Sequence, residues 1–214
     1  MGLSLSVIQA VKDHKIKLEC GLSASEKIIL EPVTTANLEI NAERMSTWRQ
    51  PVQDQFYINH PSNPVYWAEF IRRKYIDMPN ALLFLLSGAN GPFGFTSIYD
   101  CTDISGVARA EYGRTVRGVR TTGDGKLVSK GGMTVATREL LRFCFDNLEL
   151  DEVFLEVFAD NFKAQKMYYD AGFVQSSVAE PLMRDDSGNW VVDHSLISHI
   201  RKAAAYSLQM TARN

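Results

Sequence analysis

The chain has 214 residues, 45% apolar and 22% charged, with 23 Lys and Arg against 25 Asp and Glu for a formal net charge of −2. That length and composition suit one large globular domain with room for a short appendage, and so small a net charge gives no electrostatic case for nucleic acid or an anionic membrane, leaving a small ligand or a protein as partner. Cys20, Cys101 and Cys144 are odd in number and widely spaced, with no CxxC pair or histidine cluster, which argues against a disulfide framework and a zinc site and for a reducing, cytoplasmic location.

No apolar run is long enough to span a bilayer, and the start lacks a basic stretch followed by an apolar one, so neither a membrane nor export is expected. "MGLSLS" fits the myristoylation pattern at Gly2 and Ser6, a permissive match taken as chance. Residues 1–27 are an extension whose weak apolar pattern at Val7, Ile8 and Val11 leaves a short helix and a mobile arm both open. "KIILEP" reads as a strand ended by Pro32, and "TTANLEINAERMSTWRQ" as a helix capped at Thr34 or Thr35. Pro51 to Pro64 is irregular, and "VYWAEFIRRKY" from Val65 resumes helical spacing.

"ALLFLLS" and "FGFTSIY", joined by "GANGP", predict an antiparallel hairpin. A third strand, "VARAEYGRTV", follows from Val107. Strict alternation puts Arg109, Glu111 and Thr115 on one face and Ala108, Ala110, Tyr112 and Val116 on the other. A Gly-rich stretch then enters a helix whose stripe is Met133, Ala136, Leu140, Cys144 and Leu148. "EVFLEVF" is a strand, and "ADNFKAQKMYYDAGF" a helix with Ala164, Met167, Tyr168 and Ala171 on one face, Asn161 as cap and Gly172 just past the end. "RDDSGNW" marks a hairpin turn before "WVVDHSLI", and the tail over 197–214 is expected to be helical. The order of elements predicts one mixed α/β sheet.

Three motifs make this sequence resemble the GNAT superfamily of acyl-CoA-dependent N-acetyltransferases, from about Ile28 to Phe173 and less clearly to Leu196. They are "AEYG" at 110–113, "SKGGMTVATRELL" from Ser129, and N-x-x-A-x-x-M-Y-Y-x-x-G-F from Asn161. The resemblance implies a single domain over 28–196 with a mixed, mostly antiparallel sheet, flanked by helices and splayed at its central strands. It implies acetyl-CoA as co-substrate, no metal, and a possible homodimer.

Glycines at a strand-to-helix junction let backbone amides approach a pyrophosphate, and the positive helix end favours that charge. Gly131, Gly132, Met133 and Thr134 are placed for this, with Lys130 adding a charge. Two departures from the family pattern stand here: Val128 where Arg or Gln is expected, and Met133 for a small residue. By the resemblance, Glu111 is the base that removes a proton from the amine, directly or through a water, Tyr168 the acid beside the sulfur, and Asn161 a contact for the pantetheine arm. Amides near Val116 polarise the thioester carbonyl. The competing readings are a solvated carboxylate paired with Arg109 or a cross-strand base, a core tyrosine and a plain helix cap. Tyr169 points to another helical face.

Trp48, Arg49, His60 and Trp67 lie in the half that shapes the acceptor pocket in such enzymes. Their arrangement resembles the acetyltransferases of sugar-nucleotide amines and also those of ribosomal-protein N-termini; core packing for the tryptophans and a loop hydrogen bond for His60 are the alternatives. The favoured acceptor is an amino-sugar nucleotide, the second a protein or peptide N-terminus, and a non-catalytic acyl-CoA sensor the third reading, motivated by Val128 and Met133.

Overall fold

The structure is a computed structural model that describes residues 3–119, 121, 129–193 and 205–213. Val128, Gly2 and residues 197–204 of the expected tail helix lie outside the described residues. In chain order the elements are α1 (Leu5–Lys12), β1 (Leu18–Gly21), β2 (Lys27–Pro32), α2 (Leu38–Arg49), α3 (Pro64–Ile71), β3 (Leu82–Gly88), β4 (Gly91–Ile104) and β5 (Val107–Arg117). There follow α4 (Gly132–Asp146), β6 (Glu152–Phe158), α5 (Phe162–Ala171), β7 (Val174–Gln175), β8 (Glu180–Arg184), β9 (Trp190–Val192) and β10 (Ala205–Arg213).

Among the described residues the strands make one sheet in the order β1-β2-β3-β4-β5-β6-β10-β8-β9, with β7 beside β10. Among the described residues only the β5–β6 pair is parallel, and the α4 crossover returns the chain in the same sense there. Apolar side chains alternate through the sheet and are covered on both faces. Ile8 and Val11 of α1, Leu140 and Cys144 of α4 and Tyr168 of α5 pack one face with Phe84, Ile98 and Tyr112. Leu38, Ala42 and Met45 of α2 and Trp67 and Ile71 of α3 pack the other with Leu83, Leu85 and Phe95.

Three expectations change. Residues 3–27 are no mobile arm but include the short helix α1: Ile8 and Val11 are fully buried, and β1 pairs with β2 from Leu18↔Leu30 to Gly21↔Lys27. The described end of the tail is a strand, not a helix, because β10 finds a full antiparallel partner in β6, from Ser207↔Phe158 to Arg213↔Glu152. That pairing outweighs the helix-favouring composition of the segment. The third change is in β5, where Gly113 pairs with Ser97 and Val116 with Phe95, so Arg114 and Thr115 together oppose Thr96. This β-bulge reverses the alternation beyond it. Val116 joins the α2–α3 face with Glu111's cross-strand partner Tyr99, while the Thr115 hydroxyl lies 3.2 Å from that of Thr96. Arg114 takes the left-handed backbone region, φ 52°, which a non-glycine residue rarely adopts and which clusters at functional sites.

Candidate active site

Pairing between β5 and β6 runs only from Arg109↔Glu152 to Glu111↔Phe154. Beyond it the two strands part, and a cleft of about 1180 Å³ opens between Gly113–Arg117 of β5 and Glu156–Phe158 of β6. Its other walls are residues 55–58, the start of α5 and the β8–β9 hairpin. A volume of that size accommodates an extended cofactor arm and a small acceptor together.

The structure brings Glu111, Val116, Met133, Asn161 and Tyr168 to this cleft. Glu111 does not pair with Arg109, whose guanidinium lies 5.6 Å from the Phe154 ring. Its Oε1 instead accepts a short hydrogen bond from the Tyr99 phenol on β4. Burial pushes the Glu111 carboxyl above the usual carboxylate range; the Tyr99 bond opposes this, Glu156 adds to it and Arg114 opposes it. Glu111 is therefore a stronger base than an exposed glutamate, with a hydrogen-bond donor fixing its position.

Tyr168 is buried on the helix face that touches Tyr112, its ring perpendicular to that ring at 5.9 Å. Burial, then Tyr112, pushes its phenol well above the ordinary range, with Thr115 opposing, so it stays protonated at neutral pH. Tyr169, one position on, is 46% exposed. Asn161 accepts from the Ala164 amide at 3.2 Å and so caps α5, and it lines the cleft as well.

At the N-terminus of α4, Gly131 has φ 81°, a conformation that favours glycine, and no side chain caps the helix. No acidic residue occupies its first turn. The Gly132 amide donates to the Ser129 carbonyl at 2.8 Å, and the next amides of the turn, uncapped by any side chain, form a positive end that fits the pyrophosphate of an acyl-CoA. Arg117 fastens the approach to it, donating from Nη1 to the Ser129 carbonyl at 3.3 Å. Met133 lines the cleft, whereas Lys130, Gly131, Gly132 and Thr134 stand at the helix end without forming its wall. A β-carbon on Gly94 would come within 2.7 Å of the Val116 carbonyl and 3.0 Å of the Met133 sulfur, so Met133 replaces the small residue by packing over a glycine.

None of Trp48, Arg49, His60 and Trp67 lines the cleft. Trp67 is core, 2% exposed, and Trp48 packs over Phe95 at 5.3 Å. Arg49 and His60 are buried behind residues 55–58. Burial, then Arg49 and Arg114, pushes His60 down to about 4. The sequence pattern did not single out Tyr99, Arg114, Glu156 or Lys163. Tyr99 needs the cross-strand register and Arg114 needs the bulge, but Glu156 was readable as a carboxylate at the open end of a β-strand.

Among the described residues no group of three potential ligands could hold a metal, and no helix is long and apolar enough to cross a membrane. A family model described as an acetyltransferase (GNAT) domain matches residues 37–180. No curated protein matches the chain. Among solved structures, the spermidine N-acetyltransferase from Vibrio cholerae in complex with CoA and spermine superposes with a TM-score of 0.62 at 14% identity, covering 87% of this chain and 95% of that one. A protein described as a probable acetyltransferase gives 0.61 at 19%, covering 92% and 97%. A probable GNAT-family acetyltransferase from Chromobacterium violaceum gives 0.61 at 12%, covering 87% and 82%. At these identities the likeness is one of fold.

Proposed function

The chain belongs to the GNAT family of acetyltransferases, and we propose that it moves an acetyl group from acetyl-CoA to the primary amine of a small polar acceptor, directly and within a ternary complex. The observation that carries this reading is the gathering of Glu111, Tyr168 and the bulged stretch of β5 around one cleft where β5 and β6 part.

Acetyl-CoA supplies an activated acetyl thioester. The residues suited to hold it are the first turn of α4 with Lys130 for the pyrophosphate, and Asn161 with the backbone near Val116 for the pantetheine arm. Glu111 takes a proton from the acceptor nitrogen, and its burial raises its affinity for that proton. Tyr168 holds its own proton until a thiolate develops beside it. Backbone N–H groups of β5 beyond the bulge polarise the carbonyl, a role that needs donors fixed in advance.

The favoured acceptor is an amino-sugar nucleotide, supported by Arg114, a cation on the cleft wall three residues from Glu111. Glu156 and Asp185 line the same cleft and support a second reading, a cationic acceptor such as a polyamine or a peptide N-terminus. The test is acetyl-CoA-dependent thiol release across amino-sugar nucleotides, polyamines, amino acids and N-terminal peptides, with an acceptor-free control. Release with one class supports the transferase and names its substrate. Binding of acetyl-CoA with silence across the panel points instead to an acyl-CoA sensor.

A further inference from the structure

Behind residues 55–58, on the face of the sheet opposite α4, three basic side chains share one aromatic box. Arg49, at the end of α2 and 3% exposed, lies with its guanidinium carbon 3.8 Å from the Phe56 ring centre and 5.3 Å from that of Trp67. Its Nη2 donates to the Ile58 carbonyl at 2.8 Å. His60, 8% exposed, has its ring 5.2 Å from Trp67 and 5.0 Å from Phe70, and its Nδ1 is 2.6 Å from the Tyr66 hydroxyl. Arg114 closes the circuit, 5.2 Å from the same Phe70 ring. Trp67 is thus shared by His60 and Arg49, and Phe70 by His60 and Arg114.

Four nitrogens of this box are buried and without a hydrogen-bond partner: Nε and Nη1 of Arg49, Nε of Arg114 and Nε2 of His60. The three guanidinium nitrogens are donors, and His60 Nε2 is a fourth in the tautomer whose Nδ1 accepts from the Tyr66 hydroxyl. Each guanidinium also repels the other. Buried unpaired donors are rare, and a buried cation without a counter-ion is strongly disfavoured, so the unpartnered donors of Arg49 suit a negatively charged acceptor of hydrogen bonds. Glu111 offsets the charge of Arg114, but no carboxylate acts on Arg49 in the same way.

We infer that Arg49, His60 and Arg114 form the seat for a single oxyanion, a carboxylate or a phosphate, carried by the acceptor a short distance from its amine. This rests on the acetyltransferase reading and sharpens its substrate class. Two planar guanidinium forks match an oxyanion in a way they match no cation. Arg114 lines the cleft three residues from Glu111, and Phe56 and Ile58, against which Arg49 rests, line it too. An amine at Glu111 therefore places a neighbouring anionic group at Arg114. The phosphates of the acyl donor are not the occupant, because Trp67 and Tyr75 pack the α2–α3 face whereas α4 packs the other.

The test is thermal unfolding in rising inorganic phosphate or acetate at constant ionic strength, for the wild type and Arg49→Met. The seat predicts saturable stabilisation of the wild type by at least one anion, and at least a tenfold weaker apparent affinity in Arg49→Met; which anion acts separates phosphate from carboxylate. Stabilisation by neither, or equal affinity in the variant, overturns it. His60→Gln serves if Arg49→Met does not fold, with a several-fold loss expected. In turnover, an amino sugar is compared with its phosphate ester and an amino acid with its amide. Turnover without preference for the anionic member overturns the seat alone, whereas anion binding with no CoA release from any amine overturns the transferase reading alone.

Discussion

Tyr99 and Glu111 face each other as direct partners across β4 and β5, and the Tyr99 phenol donates to the Glu111 carboxylate. The bond stabilises the charged form of a carboxyl that burial otherwise drives toward its neutral form.

Tyr99→Phe removes that bond and shifts the Glu111 pKa further up. The acid limb of the kcat/KM profile then moves to higher pH, with activity at neutral pH falling about tenfold while the high-pH plateau changes little. A pH–rate profile of wild type and variant reads this directly. An unmoved limb would show that Glu111 is not the group titrating.

Gly113→Ala acts on the same bond from the other side. A β-carbon there would lie 2.8 Å from the Tyr99 hydroxyl, so the tyrosine must withdraw from Glu111. The expected result is the Tyr99→Phe limb shift together with a loss of about 1–3 kcal/mol in stability, measured by urea unfolding. A variant with wild-type profile and stability would contradict the packing described.

His60 gives a pH-dependent stability whose sign is fixed. Its pKa is depressed in the fold to about 4, against about 6.5 for a free histidine. The contribution is therefore present above pH 6.5 and is lost as pH falls through 4, amounting to about 3 kcal/mol. Urea unfolding at pH 7, 5.5 and 4 should show the wild type losing stability faster than His60→Gln. Parallel losses in the two proteins would refute it.

Deleting residues 205–214 removes β10, which joins β6 to β8 and buries Leu208 and Met210. The prediction is loss of cooperative unfolding by circular dichroism. A truncated protein that melts like the whole chain would show the strand to be dispensable.

These predictions draw unequally on what the sequence discloses. α5 was legible in full: its apolar face follows the helical period, Asn161 caps it, and Gly172 ends it with φ 118°. The β3–β4 hairpin was legible too, because short apolar runs flank a turn of Gly and Asn. β10 was not, since nothing local marks a segment whose partner, β6, precedes it by some fifty residues. The bulge at Arg114 was hidden for a similar reason: alternation assumes an unbroken pleat, and one extra residue turns Thr115 and Val116 to the opposite faces. Arg49 and His60 were visible as candidates, but only their burial and unpaired nitrogens give them a defined environment.

The most direct measurement is turnover by Glu111→Gln and Tyr168→Phe, each verified as folded, with Tyr169→Phe as control. General acid–base roles predict that kcat falls by about 10²-fold or more in the first two and stays near wild type in the third. Full turnover by folded Glu111→Gln and Tyr168→Phe would contradict the assignment of base and acid on which the proposed function rests.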